Sequence, residues 1–200
     1  MMTRSDIYKM DEMQKIRLAL DPKTRKEILH ELAKDNNPVI RAIVAKNPNI
    51  DIETQKLLLR DTDKMVLENL AYNPKCDWKI LDRLAEHYDG RVREIVAENA
   101  NTYKETINKL AKDKEVSVKE ACLGRNDLSS LAIVTLMHEK NRRLRQRALD
   151  YAHRREDEYL VSKDMYMQIH RARIKTIRDE EFERSMYEDL VLRQEKGLIK

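Results

Sequence analysis

The feature of this chain that most constrains its fold is an internal repeat. When the sequence is written in rows of 26 starting at Asp21, three columns hold apolar residues in all five rows. The columns are Leu32, Leu58, Leu84, Leu110 and Leu136; Ile40, Val66, Val92, Val118 and Leu144; and Ala45, Ala71, Ala97, Leu123 and Leu149. Self-similarity at such a period is typical of a repeat protein, in which each unit buries its apolar face by stacking on its neighbours.

The head of each row favours a turn. The five heads are Asp21-Pro22, Asn47-Pro48, Asn73-Pro74, Asn99-Ala100 and Arg125-Asn126. Because proline pushes the preceding residue out of the helical region, we expect a turn there and a helix soon afterwards. This first helix is expected to span about ten residues. A shorter segment, residues 39–45 in the first row, should follow a polar link and be partly a 3₁₀ turn.

Several side chains are suited to starting the first helices. The sequences Thr24-x-x-Glu27 and Thr102-x-x-Glu105 predict capping boxes, in which a hydroxyl and a carboxylate satisfy free amides of the first turn. In the two rows between, Asp51 and Asp77 are the predicted caps.

The composition favours helix over sheet. The chain is 38% charged and 41% hydrophobic, with three Gly and one Phe, whereas sheets are rich in aromatic residues and need glycine-rich turns. The predicted fold is therefore all-α, an α-solenoid of five 26-residue repeats with helical caps. Its predicted parts are a capping helix in 1–20, with Ile7, Met10, Met13, Ile16 and Leu20 on one stripe, a solenoid in 21–150 (rows 21–46, 47–72, 73–98, 99–124 and 125–150), and a charged helical extension in 151–200.

Two adjacent rows carry a specific set of motifs. They are Asn47-Pro48-Asn49 with Leu57-Leu58-Leu59-Arg60-Asp61, then Asn73-Pro74, Leu84-Ala85, Val92-Arg93 and Val96-Ala97. This pattern resembles the leucine-rich repeat variant (LRV) family, a relative of HEAT repeats, over residues 21–150. The last row departs from it, with Arg125-Asn126 in place of Asn-Pro and Met137 in place of Ala. The resemblance implies alternating α and 3₁₀ helices in a right-handed superhelix. A founding member of the family carries an iron–sulfur cluster on an N-terminal cysteine group; nothing here matches that group, so no cofactor is expected.

One column of the repeat is basic. Arg41, Arg93, Lys119 and Arg145 hold the twenty-first place in four rows, and Leu67 is the exception. These cations suit either contact with phosphates or a stacking ladder, since six residues before each stands Asp35, His87, Asp113 or Glu139. Charged pairs along a solenoid usually serve its stacking, so the ladder is the favoured interpretation.

Two aromatic residues are candidates for contact with a protein partner. Trp78 is the only tryptophan and is expected in the first turn of a helix, and Tyr103 lies one row later, displaced by one place. Rigid aromatic residues near each other are common hot spots of interfaces. The alternative is that both are half-buried packing residues.

The segment 140–178 is strongly basic, with 12 Lys or Arg against 5 Asp or Glu. On a helix, Arg171, Lys175 and Arg178 would form one stripe able to follow a phosphate backbone or an acidic protein surface. The alternative is a solvated face paired with neighbouring acidic residues such as 156–158 and 179–183. Membrane binding is not expected, because the apolar side is weak. The nucleic-acid candidates are Arg142, Arg143, Arg145, Arg147, Arg154, Arg155, Arg171, Arg173, Lys175 and Arg178.

No motif indicates catalysis. Cys76 and Cys122 belong to no CxxC or histidine-rich cluster, the five histidines are scattered, and there is no HExxH or glycine-rich phosphate loop. No catalytic, cofactor-binding or metal-binding residue is therefore predicted, although HEAT-like DNA glycosylases leave an enzyme as a remote alternative. The start of the chain lacks the apolar run of a signal peptide, which predicts a cytoplasmic location.

These features predict a small bacterial-type or phage-type repeat adaptor, a scaffold that holds a protein partner with its solenoid surface and C-terminal helices. A nucleic-acid-binding protein that grips phosphates with the segment 140–178 is the first alternative. A protein partner would depend on Trp78, Tyr103 and exposed repeat positions. Phosphate binding would depend on the arginines of the tail and fall steeply with salt.

Overall fold

The computed structural model describes residues 4–156 and the single positions 171, 192 and 196. Throughout residues 4–156 the secondary-structure elements are α-helices, which confirms the all-α prediction. The chain divides into two compact units, Met1–Leu110 and Ala111–Lys200. The division falls within the row 99–124, and each unit is described by itself.

The first unit contains nine helices within the part that the structure describes. They are α1 (Arg4–Tyr8), α2 (Glu12–Leu20), α3 (Lys26–Leu32), α4 (Pro38–Lys46), α5 (Ile52–Leu58), α6 (Lys64–Tyr72), α7 (Trp78–Leu84), α8 (Gly90–Glu98) and α9 (Lys104–Leu110). The helices α3, α5, α7 and α9 begin at a constant interval of one row, and so do α2, α4, α6 and α8. The even-numbered helices pack side by side, α2 on α4, α4 on α6 and α6 on α8.

The relative lengths of the two helices of a row are the reverse of the expectation. From α3 to α8, the first helix of each row has seven residues and the second has nine, and neither is a 3₁₀ helix. The first helix ends early because the chain tightens after Leu32, where the N–H groups of Lys34 and Asp35 donate to carbonyls three residues back. In the first row the second helix is long because Pro38 suits a first helical position and no turn residue follows before Asn47.

The start signals are partly as predicted. Asp51 and Asp77 do cap their helices, accepting hydrogen bonds of 2.8 Å from the N–H groups of Thr54 and Lys79 respectively. The side-chain caps also extend to the second helices, where Asn37, Asp63 and Asp89 do the same. A short polar side chain before the first turn therefore sets most of these helix starts.

The two predicted capping boxes are wrong. The residue that precedes α3 is Arg25, which makes no side-chain cap, so Thr24 lies one place too early. Thr24 is buried, and its hydroxyl donates to the carbonyl of Leu18 at 2.7 Å. The buried hydroxyl of Thr102 likewise donates to the carbonyl of Val96. Because this place faces the interior, the hydroxyl closes the loop from the preceding helix instead of capping the next one.

The N-terminal part also differs from the expectation of one capping helix over residues 1–20. The chain bends at Met10, and Asp11 begins α2 with a capping box shared with Gln14. The expected apolar stripe is therefore broken: Ile7 is buried, but Met13 and Leu20 are 58% and 64% exposed. Since α2 begins one row before α4, it holds the register of the second helix of a row.

The second unit contains α10 (Val116–Leu123), α11 (Ser130–Met137) and α12 (Arg142–Glu156) in its described part. The helix α12 packs on both α10 and α11. It continues to residue 156 and so crosses the expected boundary between the last row and the extension, because Tyr151 and Ala152 are buried like Leu144 and Leu149 before them.

The three apolar columns form the core. Every one of their fifteen residues is buried, and Leu32, Leu58, Leu84 and Leu136 are among the largest side chains that are fully buried. Burial of Leu and Val side chains contributes roughly 1.5–3 kcal/mol each, so this column pattern supplies a large share of the favourable burial term.

Candidate partner-binding surface

A ladder of buried asparagine side chains joins successive rows of the first unit. The side-chain amide of Asn73 donates to the carbonyls of Ala45 and Asn47, both at 2.8 Å. Asn47 and Asn99 make the same pair of bonds to the row before each of them, at 2.7 and 3.0 Å. The side-chain oxygen of Asn73 also accepts from the N–H of Lys75 at 2.8 Å. Each amide thus closes its own turn and holds the preceding one.

The sequence predicts the turns at these heads but not the amide ladder. Asparagine before proline is an ordinary turn signal, so the local turn alone explains why asparagine stands at these heads. The available signal was the recurrence of Asn at three successive heads, where Asp or Ser would have served a turn equally well. Only the amide can donate to two carbonyls while accepting one N–H.

The basic column forms ion pairs between rows. The guanidinium of Arg41 makes two bonds to the carboxylate of Asp61, at 2.6 and 3.0 Å. In the second unit, the ammonium of Lys119 lies 2.8 Å from Glu139. In α2, Lys15 occupies the equivalent place and lies 2.8 Å from Asp35. In each pair the acid lies twenty residues after the base, so the stacking-ladder prediction is confirmed for Arg41 and Lys119.

The arginines of this column also fasten the link within their own row. Arg41 donates to the carbonyls of Asp35 and Asn36, and Arg93 donates to those of His87 and Tyr88 at 2.8 and 2.9 Å. Arg145 donates to the carbonyl of Glu139 at 2.9 Å. These donors are directed at backbone, which supports a packing role for the column.

The acids of the ladder are stabilised as carboxylates. Burial by itself would raise the pKa of Asp61, but hydrogen bonds from Arg41 and from backbone N–H groups outweigh it and hold the pKa below its ordinary value. The same balance, with Lys15 as the cation, lowers the pKa of Asp35. The ladder therefore has its full strength when these groups are ionised.

One rung of the ladder is missing. Leu67 occupies the basic place of its row and is buried, and twenty residues later the acidic place holds His87. His87 still accepts at Nδ1 from the N–H of Asp89, at 3.2 Å, as Asp35 and Asp61 accept from the residue two places on. The turn at His87 is therefore the same as in the other rows, but this pair of rows lacks both the basic and the acidic side chain of the ladder.

Trp78 and Tyr103 lie against each other on the surface of the first unit. Their ring centroids are 5.4 Å apart and the planes are tilted by 38°. The cap Asp77 makes Trp78 the first residue of α7, and Tyr103 directly precedes α9. The two residues are 47% and 55% exposed, so each ring packs on the other and still leaves about half of its surface open to solvent. The ammonium of Lys79 lies 5.5 Å from the centroid of the Trp78 ring.

The surface around this pair extends by one row. Ile52 is the first residue of α5, as Trp78 is of α7, and it is 39% exposed. We call Ile52, Trp78, Tyr103 and Lys79 the aromatic surface. Ile52 and Trp78 stand at helix ends that are fixed by the side-chain caps Asp51 and Asp77, a rigid arrangement with little to lose on binding.

The described nucleic-acid candidates lie mainly on α12. Arg142, Arg143, Arg147 and Arg154 are exposed, and Arg147 lies 3.3 Å from Glu120. Arg147 and Arg154 lie four and eleven residues after Arg143, so the three arginines share one face of the helix. Arg171 is exposed. Four other candidate side chains lie outside the described residues: Arg155, Arg173, Lys175 and Arg178. The predicted stripe of Arg171, Lys175 and Arg178 therefore lies outside them as well.

A second exposed apolar group was missed by the sequence interpretation. Met13, Val39 and Met65 are each the second residue of their helix, α2, α4 and α6, and are 58%, 43% and 43% exposed. Their spacing of one row was visible in the sequence, but Met13 was assigned to a buried stripe of a cap. The correct register of α2 brings the three into one column.

Reactive groups are scarce among the described residues. Burial raises the pKa of the Cys76 and Cys122 thiols to about 12, so neither is a ready thiolate near neutral pH. Within the described residues no three His, Cys, Asp or Glu side chains cluster closely enough to hold a metal ion. None of the described helices has the length and apolar character needed to span a membrane.

Comparison of the chain with protein-family models, curated proteins and solved structures gives no match. The resemblance to the LRV family stays a prediction based on the motifs of residues 47–97. Function is therefore inferred from the surfaces of the molecule.

Proposed function

We propose that this chain is a non-enzymatic repeat adaptor, an LRV-like right-handed α-solenoid of 26-residue repeats that holds a protein partner. The regular spacing of the helices in the first unit and the two ladders between its rows support the repeat architecture. A scaffold of this kind grows along one axis and offers an extended surface in place of an enclosed pocket.

The observation that carries the proposal is the aromatic surface. Trp78 and Tyr103 are about half exposed, although each ring would contribute favourably if it were buried. Tryptophan and tyrosine are enriched at the few positions that dominate binding energy. Since the pair is already in contact at 5.4 Å, a partner needs to order few side chains to cover it.

The single tryptophan makes the proposal directly testable, because tryptophan fluorescence reports on this surface alone. A partner would first be captured with the whole chain, then purified and titrated. We expect the partner to shield Trp78 from acrylamide quenching, and Tyr103→Ala to weaken binding by tenfold or more, equivalent to about 1.4 kcal/mol. The matched control is Tyr88→Ala, which removes a tyrosine that is 79% exposed on the link before α8.

Unchanged quenching of Trp78 in the complex, or equal losses for Tyr103→Ala and Tyr88→Ala, would place the partner elsewhere and contradict the role of the aromatic surface. Circular dichroism of both variants checks that the helices are retained.

Nucleic-acid binding is a second candidate, favoured by the exposed face of Arg143, Arg147 and Arg154 on α12. Three cations in a row on one helix suit the spacing of backbone phosphates. Fluorescence anisotropy with labelled duplex DNA and then RNA, at low and near-physiological salt, tests it. Binding should weaken steeply with salt, and the triple variant to Ala should lose most of it. The control variant replaces three exposed lysines, Lys56, Lys79 and Lys109, with Ala. If this control binds nucleic acid no better than the arginine variant does, the role of the α12 arginines is contradicted.

A further inference from the structure

A different surface of the first unit is formed by α2, α4, α6 and α8, which lie side by side in the same register. Contacts between neighbouring helices fix that register at two levels. The side-chain amide of Asn69 in α6 donates to the carbonyl of Ala42 in α4 at 2.9 Å. At the ends of the same helices, the ammonium of Lys46 lies 5.1 Å from the centroid of the Tyr72 ring.

One end of this surface is apolar. Besides the column of Met13, Val39 and Met65, Leu20 and Tyr72 are 64% and 58% exposed at the last residues of α2 and α6. Residues three, four and seven places apart share one side of a helix, so the second and ninth residues of each helix face the same way. Ile16 and Ile43, which are half-buried, lie between them on α2 and α4. These seven residues are the apolar face: Met13, Ile16, Leu20, Val39, Ile43, Met65 and Tyr72.

The other end of the surface is acidic. On α8 the places of Met65 and Tyr72 are taken by Arg91 and Glu98. Arg91 lies 2.9 Å from Glu94, and the pKa of Arg91 is raised by its hydrogen bond to Glu94 and by the charges of Glu94, Glu98 and Glu68. Lys64 pairs with Asp89 at 2.9 Å. Four carboxylates (Glu68, Asp89, Glu94 and Glu98) thus meet two cations, a net charge of −2.

We propose that this surface is the docking site of an amphipathic helix from a partner protein, whose apolar stripe covers the apolar face and whose basic end lies over α8. It adds a surface that is separate from the aromatic surface, and it does not rest on the role of Trp78.

The spacing of the rows favours a helix over an extended peptide. Packed helices lie roughly 8–10 Å apart, so a ligand that crosses them meets one member of the column Met13, Val39 and Met65 at each such step. A helix places a side chain on the same side every seven residues, about 10.5 Å, which matches one row. An extended chain advances about 10 Å in three residues, and residues three apart point to opposite sides.

The charges fix the end of the ligand. Counted with their caps, α2 and α4 carry Lys15, Arg17, Arg41 and Lys46 against Asp11, Glu12 and Asp21, a net charge of +1. The charge therefore changes from weakly positive at α2 and α4 to negative at α8. A ligand with Lys or Arg in the turn over α8 gains complementary contacts there, and one with Glu or Asp meets like charges. Two methionines let the apolar face adapt to different partner side chains.

The probe is a labelled synthetic helix of about three heptads, with leucines at the first and fourth places of each heptad and three arginines in one terminal turn. The matched probe has glutamates in place of the arginines. Both are titrated by anisotropy into the full chain. We expect the arginine probe to bind at least about tenfold more tightly than the glutamate probe. Met65→Glu should reduce that binding by tenfold or more, because it replaces an apolar side chain of the apolar face with a charged one.

Two further variants sharpen the test. Glu98→Lys should narrow or invert the preference between the probes, since it removes one negative charge at α8 and adds one positive charge, a change of +2. Tyr88→Ser, on the link before α8, should change nothing. Equal binding of the two probes, or no effect of Met65→Glu in a folded variant, would overturn the proposal.

Other occupants give different results. A chain that sediments as a dimer, and as a monomer when Met65→Glu is introduced, would show a second copy on the apolar face and overturn the proposal. Binding to phosphatidylcholine vesicles that is lost in Met65→Glu would show a lipid surface there and also overturn it. Monomeric chain, no vesicle binding and selective capture of the arginine probe are the expected combination.

Discussion

The heads of the rows are built differently in the two units. In the first unit, Asn47, Asn73 and Asn99 are buried, and their amides reach the preceding row. In the second unit the head is Arg125, which bonds to Asp127 two residues later, at 2.7 and 2.9 Å. At Asn73 the turn is closed by the side-chain oxygen, which accepts from a backbone N–H. At Arg125 the turn is closed by an ion pair with Asp127, which is 51% exposed.

This difference separates two ways of holding a turn. A buried amide that satisfies two carbonyls cannot be removed without leaving those carbonyls unpaired, and that cost is larger than the net value of the bonds themselves. In the ion pair of Arg125 the partner Asp127 is 51% exposed, so water competes for its carboxylate and the pair contributes less. The ionic ladder, by contrast, is present in both units, as Arg41 with Asp61 and as Lys119 with Glu139. Four changes test this ranking, from the largest expected effect to the smallest.

Removal of one rung of the amide ladder should be the most destabilising change. Asn73→Ala leaves the carbonyls of Ala45 and Asn47 and the N–H of Lys75 without their partner. We expect a loss of about 3 kcal/mol in the free energy of unfolding, measured by urea denaturation followed by circular dichroism. The control is Asn69→Ala, which removes one bond to Ala42 and should cost about 1 kcal/mol. If both variants lose the same free energy of unfolding, the burial of the Asn73 amide makes no additional contribution to stability.

Acid should weaken the ionic ladder and leave the amide ladder untouched. Burial alone would raise the pKa values of Asp35 and Asp61, but hydrogen bonds from Lys15 and Arg41 outweigh it, so both values are lower in the folded chain than ordinary. Such groups stabilise the fold above their unfolded pKa, about 3.9, and the stabilisation is lost as the pH falls through the folded value. The free energy of unfolding should therefore drop below about pH 4.

The variant Asp61→Asn isolates this contribution, since an amide oxygen can still accept from the N–H of Asp63. It should cost about 2 kcal/mol at neutral pH and flatten the acid dependence. An acid transition as steep as that of the unaltered chain would assign the effect to other carboxylates.

Filling the missing rung should create a measurable coupling. Leu67→Arg with His87→Asp places a base and an acid at the same twenty-residue spacing as Arg41 and Asp61. Each single change is expected to destabilise, the first by placing a charge where Leu67 is buried. The double-mutant cycle should give a favourable coupling of about 1 kcal/mol. If the two changes in the free energy of unfolding simply add, the two side chains alone are not sufficient to form an ion pair between these rows.

The smallest effect is expected at the head of the last row. Asp127→Asn removes the charge that faces Arg125, but it keeps a side-chain oxygen that can accept from the guanidinium, and position 127 is 51% exposed. The free energy of unfolding should fall by about 0.5 kcal/mol, and less in high salt. A loss as large as that of Asn73→Ala would erase the distinction between the two units.

Sequence reasoning recovered the parts of the fold that depend on local pattern. The apolar columns of Leu32, Ile40 and Ala45 and their counterparts are buried, and Asp51 and Asp77 cap helices, because periodicity and capping act within one or two turns of chain. The basic column was assigned correctly for Arg41 and Lys119, because a complementary acid stood at a fixed interval in most rows.

The errors came from choices that neighbouring rows decide. Thr24 has the right side chain for a cap, but its place faces the interior, where the carbonyl of Leu18 needs a donor. The helix lengths were reversed because the polar link has the same composition as the end of a helix, and only the tightening after Leu32 separates them.

The exposed surfaces were the least predictable part. Trp78 and Tyr103 were paired in advance from their nearness in adjacent rows, and the structure brings their rings together. Met13, Val39 and Met65 are apolar residues whose exposure follows from the register of α2, which the break at Met10 sets and which no pattern in that short helix indicates.

The amide ladder also gives the rows headed by Asn47 and Asn73 two matching ends. The side chain of Asn73 donates backwards to Asn47, and its own backbone carbonyl accepts from Asn99 in the following row. Asn47 and Asn73 therefore each carry a side-chain donor for the row before and a backbone acceptor for the row after, of the same chemistry. An in-frame duplication of one row would arrive with both connectors already in place, so a chain of this kind can lengthen by copying DNA without inventing a new joint.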